Sequence, residues 1–484
     1  MHKKMIPEIT HRFLLKSIIA TVFTMIMVMA VLQFGKNNLS IGIAAMQLPL
    51  VILFVTAVLK DARAGLLAVF ILNYFALGLS RYIPIQWGLT IDSLLILTWI
   101  SIFFKSFSTR IPFEKAKNQL TLVAAIWYAY IFLQLLNPEA VSRIAWFYAM
   151  RGLAFYKLLI IPLTFILLDH PRYLRIMLRM WAVFAIAAIG KGLMQKYMGF
   201  DPFEQRWLDR GGALTHIIGS GTRYFSFFTD AGNYGAHMGF VGVVFTIIGI
   251  HSKTFSLKFW NIILGLAAFY AMLISGTRGA IAVPAVGFFL YTILTKRLTI
   301  FISGMVFLFA AFAFLKFTTI AQDVYEVRRM RTALNPEDAS LQVRLANQRL
   351  LGAYLESRPL GGGVGSAGSW GKRFSPNSFL AQIPTDSWYV MIWAETGIIG
   401  LYLHISILLF IVGKSMWIIM AKLKNTELIY PLIGLLSGML GIMVASYGNG
   451  VLGQMPNGII IYMSMAFIFM APGWEKKNAN PGTR

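Results

Sequence analysis

The sequence contains no cysteine and little charge. The absence of cysteine excludes disulfide bonds, thiolate nucleophiles and cysteine metal sites. Charged residues make up 13% of the 484 residues, against roughly 25% in ordinary soluble domains. Hydrophobic residues make up 57%, which is more apolar surface than a soluble core can hide. The composition therefore excludes an ordinary soluble globular protein.

Acidic residues are also scarce, because 19 Asp and Glu stand against 43 Lys and Arg and leave a formal net charge of +24. In a soluble protein this excess would suggest nucleic acid as the partner. Here the basic residues are spread between apolar runs, and no RNA- or DNA-binding motif accompanies them. We therefore expect no nucleic-acid partner.

Runs of about 20 apolar residues, the length that crosses a bilayer, recur along the whole chain. In lipid, every backbone group must be bonded within its own segment, so these runs should be helices. The sequence predicts an all-α polytopic membrane protein, one membrane domain over residues 1–484 with about fourteen spans, or about twelve at the fewest. Their approximate bounds are 17–34, 40–59, 64–79, 90–104, 119–136, 152–168, 174–195, 231–250, 258–274, 279–294, 298–315, 387–412, 428–447 and 457–471.

Loop charges predict the orientation of these spans. With both termini in the cytoplasm, the short cytoplasmic loops are rich in Lys and Arg, as the positive-inside rule requires. The first span follows a basic segment with no small-residue cleavage site, so it should be a retained anchor. Two long loops, 196–230 and 316–386, then lie outside, the second before the last three spans. Within the second, the periodicity predicts a helix near 338–356.

The predicted outer loops contain more Arg than Lys, whereas the inner loops contain more Lys. Arg binds phosphate through a planar fork, while Lys is a compact point charge. This difference indicates an anionic ligand such as a pyrophosphate on the outer side. The alternative is that long loops escape the inside rule and that their arginines pair with the few loop acids.

Two arginine segments lie at predicted outer ends of spans. In 219–233, Arg223 is a candidate phosphate ligand, and Asp230 and Asn233 are candidates for holding a sugar hydroxyl. The alternative there is interfacial packing and helix capping. In 275–280, Arg278 stands in a tight glycine turn before a helix whose first amides favour anions. The alternative is a simple turn with an interfacial arginine.

The predicted outer helix carries a third set of candidates. Arg344 and Gln348 are four residues apart and share a helix face, and Arg349 follows them. The segment after this helix matches G-x-G-x-x-G at Gly363–Gly368. We do not interpret it as a nucleotide site, because no strand precedes it and it lies outside, where nucleotides are scarce.

Two carboxylates lie near the twelfth predicted span. Asp386, at its outer end, is a candidate for taking a proton from an attacking sugar hydroxyl, and its alternative role is the N-cap of that helix. Glu395 lies deeper, needs a buried partner and is interpreted as structural. It is the main charged residue that we place at a span centre.

Taken in order, Arg278, Arg344, the run Pro-Leu-Gly-Gly-Gly-Val-Gly from Pro359 and Ala-Glu-Thr-Gly-Ile-Ile-Gly from Ala394 resemble the O-antigen ligase and polymerase family. Arg223 with 230–233 is similar to that family's upstream arginine segment. The resemblance covers roughly residues 170–470 and implies a fold related to the GT-C glycosyltransferases. It further implies an undecaprenyl-pyrophosphate-linked glycan donor, a glycan or lipid acceptor, a bacterial inner membrane with the site on the periplasmic face, and no cofactor or required metal. Other polysaccharide-assembly proteins are expected partners.

The chain departs from the family at one position. The ligases carry a His nine residues before the Glu that matches Glu395, usually followed by Asn, whereas this sequence has Asp386 and Ser387. We therefore favour polymerisation of repeat units. Arg223, Arg278 and Arg344 would stabilise the leaving pyrophosphate and Asp386 would orient or deprotonate the acceptor. The alternatives are a ligase that transfers the glycan to lipid A core or another acceptor, and a polysaccharide or lipid transporter.

Overall fold

A computed structural model describes residues 39–83, 85–219, 221–335 and 337–479. Eleven helices in these residues are long and apolar enough to cross a membrane. They are Ala62–Leu79, Trp87–Ser106, Gln119–Leu136, Arg143–Leu167, Pro171–Tyr197, Ala231–Ile250, Phe255–Ile274, Leu298–Phe317, Trp388–Lys422, Thr426–Ala445 and Asn457–Lys476. The chain is therefore a multi-pass α-helical membrane protein, as its composition predicts.

Two shorter apolar helices, Leu48–Lys60 and Arg278–Leu294, coincide with two more predicted spans. The predicted span 17–34 lies outside the described residues. The helix predicted near 338–356 is present as Ala339–Leu355, here called the Arg344 helix. The other short helices are Phe113–Ala116, Pro202–Trp207, Leu208–Gly212, Ala213–His216, Tyr325–Arg331, Thr332–Leu334, Gly368–Phe374 and Phe379–Gln382. Strands Ile217–Ile218 and Gly221–Thr222 form a small antiparallel pair.

The chain divides into two compact units, the first comprising the described residues up to Leu67 with Ile96–Arg110. In this unit the Ser101 hydroxyl donates to the Val58 carbonyl at 2.7 Å, so a polar group inside an apolar helix pair is satisfied. At one end of the same pair the Lys105 ammonium donates to the Lys60 carbonyl at 2.8 Å, which satisfies a helix C-terminus.

The second unit comprises Ala68–Leu95 and the chain from Ile111 onward. Its centre is formed by Ala231–Ile250, Thr426–Ala445 and Asn457–Lys476, which are mostly buried. The Leu298–Phe317 helix is apolar on all sides, yet none of its described side chains is buried. An apolar helix that the protein does not cover requires lipid around it.

A glycine loop, residues 359–368, packs into a break in the Gly397 helix, which is the name used here for Trp388–Trp417. Gly397 has φ +68°, and a Cβ atom there would lie 2.0 Å from the Pro359 carbonyl oxygen. The loop amide of Gly362 donates to the Ala394 carbonyl at 2.9 Å. The run that matches G-x-G-x-x-G packs closely as well: a Cβ atom at Gly363 would lie 2.6 Å from the Cβ of Ala140, and one at Gly365 would lie 2.5 Å from the Ala145 backbone.

Glu395 lies beside this break and is 3% exposed. One of its carboxylate oxygens accepts from the Ala367 amide at 3.3 Å. A buried carboxylate needs such donors, and the glycine loop provides them. The residue therefore joins the loop to the Gly397 helix and fixes the start of that helix, where Asp386 lies.

Candidate functional site

Arg278 is held by a carboxylate from the start of the Arg344 helix. Its guanidinium forms an ion pair with Asp338 and lies 3.5 Å from the Thr332 hydroxyl. Asp338 also caps the Arg344 helix by accepting from the amides of Ser340 and Leu341 at 3.0 and 3.2 Å. Partial burial alone would raise the pKa of Asp338, but the bonds from Arg278 and these amides lower it below its ordinary 3.8.

Arg344 faces Asp386 across a short gap. Its Nε lies 3.4 Å from Asp386 Oδ2, and the side chains are 33% and 49% exposed. Ser387 caps the Gly397 helix, since its hydroxyl accepts from the Val390 amide. The alternative in which Asp386 is the N-cap is therefore wrong, and its carboxylate faces Arg344 instead.

Two adjoining cavities form what we call the polar cleft. The first has a volume of about 250 Å³ and lies between Arg278, Asp338 and Arg344. The second is narrow and is lined by Arg344, Asn347, Gln348, Pro384, Asp386, Ser387 and Val390. Arg344 lines both, so three predicted site residues, Arg278, Arg344 and Asp386, lie along one path.

An apolar groove lies next to the polar cleft. Val390 lines both of them, and the groove has a volume of about 490 Å³. The groove is lined from both sides of the break at Gly397, since the rings of Tyr389 and His404 are only 6.4 Å apart. From Leu401 to Val412 it follows the continuous part of the Gly397 helix for about 17 Å at 1.5 Å per residue. Its lining is almost wholly apolar: Tyr389, Val390, Trp393, Leu401, Ile405, Leu408, Leu409, Val412, Leu440, Met443, Val444 and Tyr447.

Arg223 lies beside Arg278 and belongs to the same positive cluster. Its two terminal nitrogens donate to the Thr215 carbonyl at 2.9 Å and the Thr277 hydroxyl at 3.0 Å. Among the described residues, its buried Nε has no acceptor. Burial and the nearby charge of Arg329 lower the pKa of Arg223.

Arg329 is a member of this cluster that the sequence analysis missed. Its Nε donates to the Gly276 carbonyl at 3.2 Å, in the same turn as Arg278. Burial and the charge of Arg278 lower its pKa. The signal in the sequence was the run from Arg328 to Arg331 in the second long loop, but nothing local to that run indicates which of its arginines turns toward Arg278.

Asp230 and Asn233 occupy the start of the Ala231–Ile250 helix. Asp230 caps it by accepting from the Asn233 amide at 2.9 Å. The Asn233 side chain is fully buried, donates to the Met455 carbonyl at 2.6 Å and accepts from Asn457 at 2.8 Å. Both placements match the capping and packing alternative, and the predicted hydroxyl-binding role has no open surface at Asn233.

Gln348 and Arg349 differ in where they point. Gln348 lines the polar cleft with Arg344, as their common helix face predicts. Arg349 is exposed and does not line the cleft. Asp338 and Asn347 are cleft residues that the sequence analysis did not name as site residues. Nowhere in the described residues do three or more His, Asp or Glu side chains meet as metal ligands would.

The first long loop is anchored by Arg81. Its guanidinium donates to the carbonyls of Ser226 and Phe228 and lies 4.5 Å from the ring centre of Trp207. Burial lowers the pKa of Arg81 to about 10. This guanidinium thus anchors the loop that contains Arg223 through backbone carbonyls.

His216 is the titratable anchor of the same loop. Its Nε2 accepts from the Ala231 amide at 3.1 Å, so Nδ1 carries the proton and donates to the Gly212 carbonyl at 2.9 Å. Burial lowers the pKa of His216 below its ordinary 6.5. The neutral ring therefore stabilises the loop above pH 6.5, and this contribution is lost as the pH falls through the folded-state pKa.

We expect proteolytic cleavage between 212 and 223 to rise several-fold when the pH is lowered from 7.5 to below the His216 pKa. The protonated ring can no longer accept from the Ala231 amide. In His216→Gln, cleavage should already be fast at pH 7.5 and should not rise further. His170→Gln, which alters an exposed imidazole elsewhere, is the control. Wild-type cleavage that does not depend on pH would contradict this role of His216.

No protein-family model matches the chain, and no curated protein matches it either.

Proposed function

We propose that the protein is a membrane glycosyltransferase that polymerises undecaprenyl-pyrophosphate-linked repeat units of a surface polysaccharide. The proposal rests on one observation: the arginine-lined polar cleft and an apolar groove lie side by side and share Val390 in their lining. A ligand that fills both must combine an anionic head with a long apolar chain. A lipid-linked pyrophosphate has this chemistry, and neither a free sugar nor a soluble nucleotide has it.

The gathering of arginines favours a pyrophosphate head. Four guanidinium groups, those of Arg223, Arg278, Arg329 and Arg344, gather around the Arg278 turn and the polar cleft. Arg278 pairs with Asp338, Arg344 pairs with Asp386, and the charge of Asp230 acts on Arg223. Bringing like charges together is costly, and a multiply charged anion offsets that cost through charge-assisted bonds.

The proposed reaction is a single displacement at the anomeric carbon of the donor sugar. The acceptor hydroxyl oxygen attacks this carbon, and the bond from the carbon to the phosphate oxygen breaks. The lipid pyrophosphate leaves with the bonding electrons, stabilised by Arg278 and Arg344. Asp386 accepts the hydroxyl proton and lies across the cleft from Arg344, so both groups meet the reacting atoms.

The proposed location of this reaction follows from the resemblance to the O-antigen ligase and polymerase family. We propose a GT-C-like protein of about fourteen spans in the bacterial inner membrane. Its termini are cytoplasmic and its polar cleft is periplasmic. The partners are the lipid-linked donor, a glycan or lipid acceptor and other polysaccharide-assembly proteins. No cofactor enters the proposed reaction.

Polymerisation is favoured over ligation by Asp386, which stands where the ligases carry a histidine. A ligase that uses lipid A core or another acceptor is the second candidate, because the same cleft would serve it. The third candidate is a polysaccharide or lipid transporter, which usually keeps charged groups at span centres. The sequence analysis disfavoured it because few charges lie at the predicted span centres. Lys157, buried in the middle of Arg143–Leu167, is a charge at such a position that our sequence analysis did not weigh.

One experiment separates the three. The purified protein in vesicles is supplied with undecaprenyl-pyrophosphate-linked repeat units, and the glycan length is measured on a gel. A ladder formed without any other acceptor is expected of the polymerase. Consumption that begins only when the acceptor lipid is added would favour the ligase, and movement across the vesicle membrane with no change in length would favour the transporter.

Filling the groove should weaken use of the lipid donor. Leu440→Trp adds an indole to the groove wall, so we expect the apparent KM for the undecaprenyl-linked donor to rise about tenfold or more. An analogue whose apolar chain is too short to reach Leu440 should be affected much less. Val183→Trp, on an exposed apolar position of another helix, is the matched control. An unchanged KM in Leu440→Trp would show that the groove does not hold the donor lipid.

A further inference from the structure

A buried lysine lies in the middle of a membrane-spanning helix and has no role in the proposed reaction. Lys157 belongs to Arg143–Leu167 and is 4% exposed. Its ammonium lies 5.7 Å from the ring centre of Tyr462, at the outer limit of a cation–π contact. In the described part of the chain no carboxylate forms an ion pair with it. A buried ammonium needs more compensation than one ring face at this distance.

His404 adds a second buried donor, and Trp127 connects it to the helix of Lys157. The Trp127 ring lies 4.7 Å from the His404 ring, and its indole donates to the carbonyl of Leu153, one turn before Lys157. The imidazole is 1% exposed, and its Nε2 lies 3.1 Å from Trp388 Nε1. An indole nitrogen can only donate, so Nε2 is the acceptor and the proton of the neutral ring is on Nδ1. Among the described residues, Nδ1 is buried and has no hydrogen-bond partner.

Four helices enclose these two groups. Lys157 lies on Arg143–Leu167, His404 on the Gly397 helix and Tyr462 on the Asn457–Ala479 helix. The fourth helix is Gln119–Leu136, whose Trp127 ring packs 4.7 Å from the His404 ring. Glu395 is the acid on the helix that contains His404, but its carboxylate is bound to the glycine loop nine residues away. The site thus presents donors, one of them a full positive charge, and the acid nearest in sequence to His404 is used elsewhere.

We propose that Lys157 and His404 bind a small monovalent anion of the halide class inside the membrane bundle. One negative charge balances the ammonium, and the anion accepts from both Nζ and Nδ1. A phosphate is larger, more highly charged and more strongly hydrated than a halide. Two donors would not offset the free energy needed to remove its water. The anion joins the Arg143–Leu167 helix to the Gly397 helix, so its main effect is on stability. The inference does not depend on the proposed glycan transfer.

Thermal unfolding of the purified full-length protein in detergent tests the site. Sodium chloride is titrated against sodium gluconate at constant ionic strength, so that general screening is held fixed. We expect a saturable rise of about 3 °C or more in the midpoint of the wild type. Lys157→Met should lose this rise, and Lys258→Met, which alters an exposed lysine, should keep it. The proposal would be overturned if the wild-type midpoint did not change with chloride, or if chloride raised the midpoint of Lys157→Met by the same amount.

A second measurement avoids any loss of folding in the variant. Crystals of the wild type grown in bromide should give an anomalous peak between Lys157 Nζ and His404 Nδ1. Fully ordered side chains with no peak at saturating bromide would overturn the site and would instead indicate a neutral lysine amine. Neither outcome bears on glycan transfer, so failure of this proposal and failure of the proposed function are distinguishable.

Discussion

Arg344→Ala is expected to lose about 100-fold or more of the glycan-transfer rate while the protein remains folded in the membrane. Removing one preorganised group that stabilises developing charge costs about 10²–10³ in rate. The Arg344 side chain is one-third exposed, and the Asp386 carboxylate with which it pairs lies 3.4 Å away. Such a pair contributes only about 0–1 kcal/mol to stability, so unfolding should change little. Initial transfer rates and thermal midpoints, measured on the same preparation, test both statements.

Arg349→Ala is the matched control for this variant. It removes the same charge from the same helix, but its side chain is exposed and outside the polar cleft. We expect it to keep close to wild-type activity. Equal losses in both variants would mean that the charge of the helix matters and that the cleft does not. Full activity in Arg344→Ala would refute the role of Arg344 altogether.

Gly397→Ala is expected to have the largest effect on folding. The new Cβ atom would lie 2.0 Å from the Pro359 carbonyl oxygen, and the residue would have to keep φ at +68°. A non-glycine residue in this backbone region costs about 1–3 kcal/mol and overpacking costs about 1–3 kcal/mol, which together give a loss of about 2–6 kcal/mol. The glycine loop and the start of the Gly397 helix should separate, and the thermal midpoint should fall sharply.

Gly413→Ala provides the comparison within the same helix. A Cβ atom at Gly413 would meet no atom within 4 Å, and the position is exposed. In a regular helix, alanine is favoured over glycine by up to about 1 kcal/mol, so the midpoint should stay or rise slightly. If Gly397→Ala were equally harmless, the packing of the glycine loop into the helix break would be wrong.

Much of the membrane architecture was predictable because lipid leaves the backbone so few choices. An apolar run of sufficient length must be a helix, whatever its neighbours are. The same local reasoning found the Arg344 helix, since its Asp338 cap and its periodicity lie within the segment itself. The first predicted span, 17–34, lies outside the described residues and stays a prediction.

The site was predictable in its residue types but not in their pairing. Arg278, Arg344 and Asp386 are brought to one cleft, whereas the ion pair of Arg278 with Asp338 joins residues 60 positions apart. No local rule links such residues, because their contact depends on how the helices pack. For the same reason the sequence could not tell that Ser387 caps the Gly397 helix and leaves Asp386 to face Arg344.

The burial of Asn233 and Lys157 shows a second limit. Asn233 follows an arginine segment, so its sequence context suggested a ligand-binding residue, yet the Met455 carbonyl and Asn457 use its side chain. Lys157 stands inside a predicted span, but only the packing of four helices reveals that it lies without a carboxylate partner in the described structure. Burial of a single side chain is a property of tertiary packing, which hydrophobic periodicity does not report.

The binding of undecaprenyl pyrophosphate to the purified protein tests most directly whether one ligand fills the polar cleft and the apolar groove. Its affinity should be compared with that of undecaprenol and of inorganic pyrophosphate, each of which offers only half of the proposed interactions. We expect the lipid pyrophosphate to bind at least about 100-fold more tightly than either. When one of its two parts is bound, the other is held at a high effective concentration next to its own site. The advantage should disappear when Arg278 and Arg344 are both replaced by alanine. Equal affinity for undecaprenol and its pyrophosphate would contradict the account, because the arginine cluster would then take no part in binding.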